Sequence, residues 1–311
     1  MVRLNFFIRQ KGEVPVATAK KQKSKARQMA PIYALAVLIL LVGVGIFAYP
    51  AVSNYLQEKN HTNAINSYND AVSKESADRL AAEWQKAKTY NENLAGDPVH
   101  DPFVPGSGYA LPKNYNNVLN TGGDGMMGYI EIPTIAVNLP IYHSTTEEVL
   151  EKGVGHIEST ALPIGGSGTH AVLTGHTGLP SAQLFTRLDE VQKGDYFYIH
   201  VLDKTLAYRV CDINIVLPDE LQNLVAEDGK DYVTLVTCTP YGKNTHRLLV
   251  KGERTAVPKE KDKTTAKKQL FGGKYHYYLI GLAIATALLL LVLALWRLRR
   301  KKKKGGAKDE T

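Results

Sequence analysis

Residues 231–254 read DYVTLVTCTPYGKNTHRLLVKGER. Val233, Thr234, Val236 and Thr237 are β-branched and favour an extended chain up to Cys238. Thr239-Pro240-Tyr241-Gly242 interrupts it, because proline has no N–H to donate and glycine permits positive φ. A second extended run, 247–251, follows. Pairing the two runs as a hairpin sets Cys238 beside Arg247 at one rim of a sheet. A thiol beside a fixed cation can serve as a nucleophile with an oxyanion partner. A lone cysteine at a strand end is usually a small buried hydrophobe, so the rest of the chain decides.

Outward from this hairpin the pattern stays β-rich. Ile130 and Ile132, then Val137, Leu139 and Ile141, alternate with polar positions. Residues 170–177, 196–201 and 206–217 add three more runs, the last two joined across Asp203-Lys204. Ser144-Thr145-Thr146-Glu147 offers a capping box for a short helix ending near Gly153. Leu184, Phe185, Leu188 and Val191 share one side of a second short helix over 181–191. About seven or eight short strands among few helices predict a mainly β fold, a closed or nearly closed antiparallel-rich barrel.

Before the barrel, Ile65, Tyr68 and Val72, then Ala77, Leu80, Ala81, Trp84 and Ala87, recur at helical spacing up to Gly96 and Pro98. Residues 97–124 contain four prolines, four glycines and no periodicity. A loop of that length in a compact domain is uncommon and is often a lid or binding loop. Asp101-Pro102-Phe103 lies within it and reads by itself as an ordinary turn.

The formal charge of +8 is unevenly placed. Residues 1–30 hold eight Lys/Arg and one acid, and 297–311 hold eight and two. Subtracting these from 38 basic and 30 acidic residues leaves 22 and 27 in 31–296. The folded part carries no basic excess, which argues against a nucleic-acid partner. Residues 31–50 and 277–296 are uncharged apolar runs, each long enough to span a bilayer as a helix. Tyr277, Tyr278 and Trp296 sit where an interfacial aromatic belt would. Each run abuts its basic cluster on the side away from mid-chain, so the positive-inside rule predicts two spans with both termini cytoplasmic and the middle outside. The first run exceeds a usual signal-peptide core and reads as an uncleaved anchor.

These features divide the chain into a disordered basic tail 1–30, a span 31–50, a helical segment 51–96 and a loop 97–124. A catalytic barrel 125–256, a linker 257–276, a span 277–296 and a tail 297–311 follow. The two cysteines could pair, but that would mask Cys238; Cys211 is expected to be buried and inert. No zinc spacing appears among cysteines and histidines, so no metal is expected.

The string Thr234-Leu235-Val236-Thr237-Cys238 followed by Arg247 resembles the signature of the sortases, cysteine transpeptidases of Gram-positive cell surfaces. Of the nine histidines, His176 sits at a strand rim in Leu173-Thr174-Gly175-His176-Thr177-Gly178-Leu179-Pro180. By pattern alone it could cap a turn, but the string resembles the sortase segment holding the catalytic histidine. Asp101-Pro102-Phe103 resembles the lid of class C, pilin-polymerising sortases, and 181–188 continues that likeness.

The resemblance implies a sortase-like barrel and an extracellular, membrane-anchored enzyme acting on an LPxTG-type sorting signal. Cys238 would be the nucleophile, His176 the acid–base, Arg247 the oxyanion partner and Thr237 a substrate-orienting neighbour. Asp101 would pair with Arg247, and Phe103 would cover the thiol. The partners would be pilin subunits, one supplying the signal and the next a lysine amine, with no cofactor. A sortase attaching proteins to peptidoglycan, a membrane-anchored cysteine peptidase and a non-catalytic adhesion module are the rival readings.

Overall fold

A computed structural model of the protein describes residues 20–94 and 114–258, with Gly281, Ala283, Thr286 and Ala287 as further helical positions. The chain divides into two units, Met1–Ala48 with Lys274–Thr311, and Tyr49–Gly273. In the first, the described residues are helical. Helix α1, Lys20–Ser73, begins inside the stretch expected to be a disordered tail. Lysine, glutamine and alanine are good helix formers, and lengthening an existing helix needs no new nucleus. Among the described residues α1 is the one helix long and apolar enough to cross a bilayer, with mean hydropathy 2.5 in its apolar part. The expected second span, 277–296, lies outside the described residues apart from those four positions.

The second unit is built on eight strands: β1 Met126–Ile132, β2 Val137–His143, β3 Val154–His156, β4 Thr169–Thr174, β5 Tyr196–Val201, β6 Lys204–Val216, β7 Asp231–Thr239 and β8 His246–Thr255. They close into a barrel in the order β1-β2-β3-β4-β7-β8-β6-β5. Closure removes the unpaired edges of an open sheet. Most neighbours are antiparallel, but β2–β3 and β4–β7 run parallel. The interior takes alternate positions, among them Ile130, Leu173, Ile199, Leu235 and Val250, each fully buried.

The helices before the barrel use the apolar positions expected of them. Ile65, Tyr68 and Val72 of α1 pack with Met126. The Tyr68 hydroxyl donates to the Met127 carbonyl at 2.9 Å and accepts from the Leu202 N–H at 2.8 Å. Helix α2, Ala77–Glu92, is capped by Ser76, whose side chain accepts from the Arg79 N–H. Its Ala87 and Tyr90 join the barrel core, and the Asn91 amide bonds both backbone groups of Leu162.

Four local expectations are corrected. The capping box at Ser144 is absent; Thr146 occupies the N-cap of helix α3, Glu147–Lys152, without a side-chain cap bond, and Gly153 ends the helix as expected. Residues 181–187 form no helix, and only Leu188–Glu190 makes a 3-10 turn. Leu184 stands at φ 37°, and the Phe185 N–H bonds the His176 carbonyl rather than a carbonyl one turn back. Cys211 is exposed, because a bulge between Val210 and Asp212 shifts the alternation of β6, and no disulfide joins it to Cys238. Finally, the later part of 97–124 is packed: Tyr115 and Leu119 are buried, and the Glu83 carboxylate accepts from the Leu119 N–H at 2.7 Å.

Candidate active site

The hairpin of β7 and β8 forms in the expected register, with Cys238 directly opposite Arg247. Its loop is closed by the N–H groups of Lys243 and Asn244, both on the Pro240 carbonyl at 3.0 Å. Asn244 takes φ 56°, the left-handed conformation that asparagine tolerates better than most residues. Its carbonyl and that of His246 each accept from Arg247 Nη1 at 3.1 Å. The guanidinium is thereby aimed by its own loop, only 4% exposed. Cys238 is 8% exposed beside it.

His176 reaches the same rim through the parallel pairing of β4 with β7. Thr174 lies opposite Val236, and the Gly175 N–H continues the ladder to the Val236 carbonyl at 3.1 Å. Continuing the register two residues beyond that last pair sets His176 level with Cys238. The glycines around the histidine have a steric cause. A Cβ on Gly175 would lie 2.9 Å from the Phe185 ring, and Gly178 combines φ +77° with a ring carbon of Tyr241 at 3.1 Å. The His176 carbonyl is held by the Phe185 N–H, and the Glu147 carboxylate stands 3.5 Å from its Nε2.

Thr237 points to the other face of β7 from Cys238. Its hydroxyl donates to the Gly175 carbonyl at 2.6 Å and is 2% exposed. It braces the residue before His176. Asp101, Pro102 and Phe103 lie outside the described residues.

Other histidines of the barrel are engaged elsewhere. His156 donates through Nε2 to the Ala161 carbonyl, accepts at Nδ1 from the Tyr115 hydroxyl, and burial pushes it down to about 4. His143 spans the carbonyls of Gly125 and Val118. His170 bonds the Val225 carbonyl and the Thr234 hydroxyl, and burial lowers its pKa. No cluster of metal-ligating side chains occurs among the described residues.

On the face of the barrel that bears Cys238, a cavity of about 300 Å³ opens over β6, β7 and β8. Val216, Leu224 and Leu249 give it apolar walls, and Thr234, Lys251 and Asp212 give it polar ones. Val216 pairs with Arg247, and Leu249 with Val236, so the cavity runs from the level of the thiol to Thr234, four residues or roughly 13 Å along the strand.

Sequence reasoning missed Glu147 as part of this group. It placed that residue in a capping box, and no local pattern links it to a histidine 29 positions later. Only the packing of α3 against β2 and β3 brings them together.

A family model described as "Sortase domain" matches residues 130–255. Sortase A of Staphylococcus aureus (strain NCTC 8325 / PS 47) is 30% identical over 213 residues, covering 67% of this chain and 86% of that protein. Sortase A of Bacillus anthracis is 28% identical, covering 74% and 98%. Among solved structures, sortase C of Streptococcus pneumoniae aligns at 41% identity and TM-score 0.58, over 63% of this chain and 97% of that one. Sortase C-1 of Actinomyces oris aligns at 48% identity and TM-score 0.54, over 58% and 99%.

Proposed function

From this chain's membership of the sortase family of cysteine transpeptidases, we propose that it is a membrane-anchored class C enzyme that joins pilin subunits. One observation carries the assignment of the site: the ends of β4, β7 and β8 bring His176, Cys238 and Arg247 to one rim. Cys238 Sγ attacks the threonine carbonyl of an LPxTG-type signal. Arg247 stabilises the oxyanion, and His176 protonates the departing glycine amine. The thioester then passes to a lysine amine of the next subunit. Deacylation by that amine returns the thiol and leaves an isopeptide bond.

The cavity over β6, β7 and β8 supports the donor half of this reading. The leucine and threonine of such a signal stand three residues, roughly 10 Å, apart when extended, so a signal whose threonine carbonyl meets Cys238 can lay its leucine against the apolar wall of Val216, Leu224 and Leu249. The class C assignment rests on the sortase C structures at 38–48% identity, one of which is titled for its pilin substrate specificity. By the same likeness Asp101, Pro102 and Phe103 are proposed as the lid over the thiol. The apolar part of α1 is proposed as the anchor, with the 277–296 run as its partner and the barrel outside the cell.

The test is co-expression of the full chain with a pilin that carries such a signal. A covalent ladder is expected, and Cys238→Ala abolishes it. Cleaved monomer without a ladder means transfer to water, and signal-bearing protein bound to peptidoglycan means the wall-attaching reading.

A further inference from the structure

In acyl transfer through a thioester, the leaving amine and the incoming amine occupy the same position beside the acid–base, one after the other. On the proposed site that position adjoins His176. The donor cavity lies over β6, β8 and β7. His176 follows β4, on the other side of β7 in the barrel order. The amine therefore arrives on the β4 side of the thiol, facing α3 and β3.

Glu147 is the group that meets it there. It is the first residue of α3 and sits 3.5 Å from His176 Nε2 through Oε1, with its side chain 73% exposed. One oxygen thus touches the histidine while the carboxylate remains open to a visitor. The adjacent carboxylate, Glu148, is turned to Lys152 instead. The far end of the helix, at Lys152, lies against buried His61 of α1. The carboxylate is therefore presented from an anchored element rather than a loose loop.

We propose that Glu147 is the acceptor-binding residue, which takes the ammonium of the incoming lysine and delivers it next to His176. This inference rests on the lysine-transfer reading above. The ammonium, held by the carboxylate, gives one proton to solvent. The neutral amine attacks the thioester carbonyl, and the C–S bond breaks as the C–N bond forms. His176 takes the second proton from nitrogen and returns it to Cys238 Sγ. The balance is thioester plus ammonium giving amide, thiol and one released proton. A carboxylate at this place also selects for acceptors that arrive as cations, which a neutral nucleophile has no need of.

The experiment uses the full-length chain in detergent with a quenched LPxTG-type donor peptide and two acceptors supplied separately. Nα-acetyl-lysine amide is cationic at neutral pH and hydroxylamine is not. The readout is the ratio of the two transfer rates. Glu147→Gln is expected to lower the lysine-to-hydroxylamine ratio by about three- to fivefold, the scale of a solvent-facing ion pair. Glu147→Asp is expected to recover part of it, and added salt to shrink the wild-type ratio by screening. An unchanged ratio in Glu147→Gln overturns the inference, because a residue acting only through His176 slows both acceptors alike. Wild-type transfer to hydroxylamine but never to the lysine amide overturns the lysine reading, and the inference with it. Failure of the wild type to open the donor peptide at all overturns the thioester site itself.

Discussion

The two faces of the sheet formed by β4, β7 and β8 are both largely shielded from solvent but differ in kind. The inner face is apolar: Ala171 and Leu173, Val233 and Leu235, Leu248 and Val250 all lie in the barrel core. The outer face alternates with it and mixes chemistries: His170 and Thr174, Thr234 and Cys238, Arg247 and Lys251 share it with Val172, Val236 and Leu249. One strand thus serves two purposes at a period of two. The inner positions stabilise the barrel through burial, while the outer ones hold polar groups under cover where electrostatic interactions are stronger. Separation by face predicts that substitutions sort into those that remove chemistry and those that remove stability.

The largest effect on the outer face, after loss of the thiol itself, is expected at Arg247. Arg247→Ala should lower kcat/KM for a donor peptide by about 10²–10³-fold, the usual consequence of losing one oxyanion partner. Arg247→Lys should not restore it. An ammonium is a point charge without the planar fork that holds two loop carbonyls and still reaches the site. Steady-state kinetics with a quenched peptide measure both. Recovery by lysine would mean that charge alone is needed at this position.

An inner-face substitution should do the opposite. Leu235→Ala, at a fully buried position one strand step from the outer row, is expected to destabilise the fold by about 2–5 kcal/mol. Denaturant titration measures that, and thiol-reagent labelling of the folded fraction should keep its wild-type rate. A labelling rate that moves with Leu235 would show that the two faces are mechanically coupled.

That division by face is partly legible in the amino-acid sequence. The β-branched run before Cys238 and the proline–glycine turn after it are local signals, and they locate the Cys238–Arg247 pairing correctly. Alternation at Ile130 and Ile132 and at Val137, Leu139 and Ile141 likewise marks β1 and β2. What stays hidden depends on distant partners or on single backbone angles. The parallel pairing of β4 with β7, which levels His176 with Cys238, joins segments some 60 residues apart. Leu184 breaks the expected helix through one positive φ, and the β6 bulge turns Cys211 outward, since neither has a compositional signature. Glu147 meets His176 only because α3 packs there.

Thr237 is where the two faces meet. It belongs to the inner row by position, yet its hydroxyl serves the outer row by holding the Gly175 carbonyl at 2.6 Å, one residue before His176. Thr237→Val keeps the shape and deletes the donor. The buried carbonyl loses a partner, an expected cost of about 1–2 kcal/mol by denaturant midpoint. If the brace positions His176, acylation of Cys238 by a donor peptide should slow about tenfold, the equivalent of about 1.4 kcal/mol in the barrier. Thr237→Ser, which restores the hydroxyl while removing a methyl, should recover most of that rate although its stability stays below wild type. Leu235→Ala provides the reference, for it loosens the same strand without touching the brace. Equal slowing in Leu235→Ala and Thr237→Val would reduce Thr237 to an ordinary core residue. Slowing confined to Thr237→Val, and reversed by serine, would make a single inner-face hydrogen bond part of how the outer face is aimed.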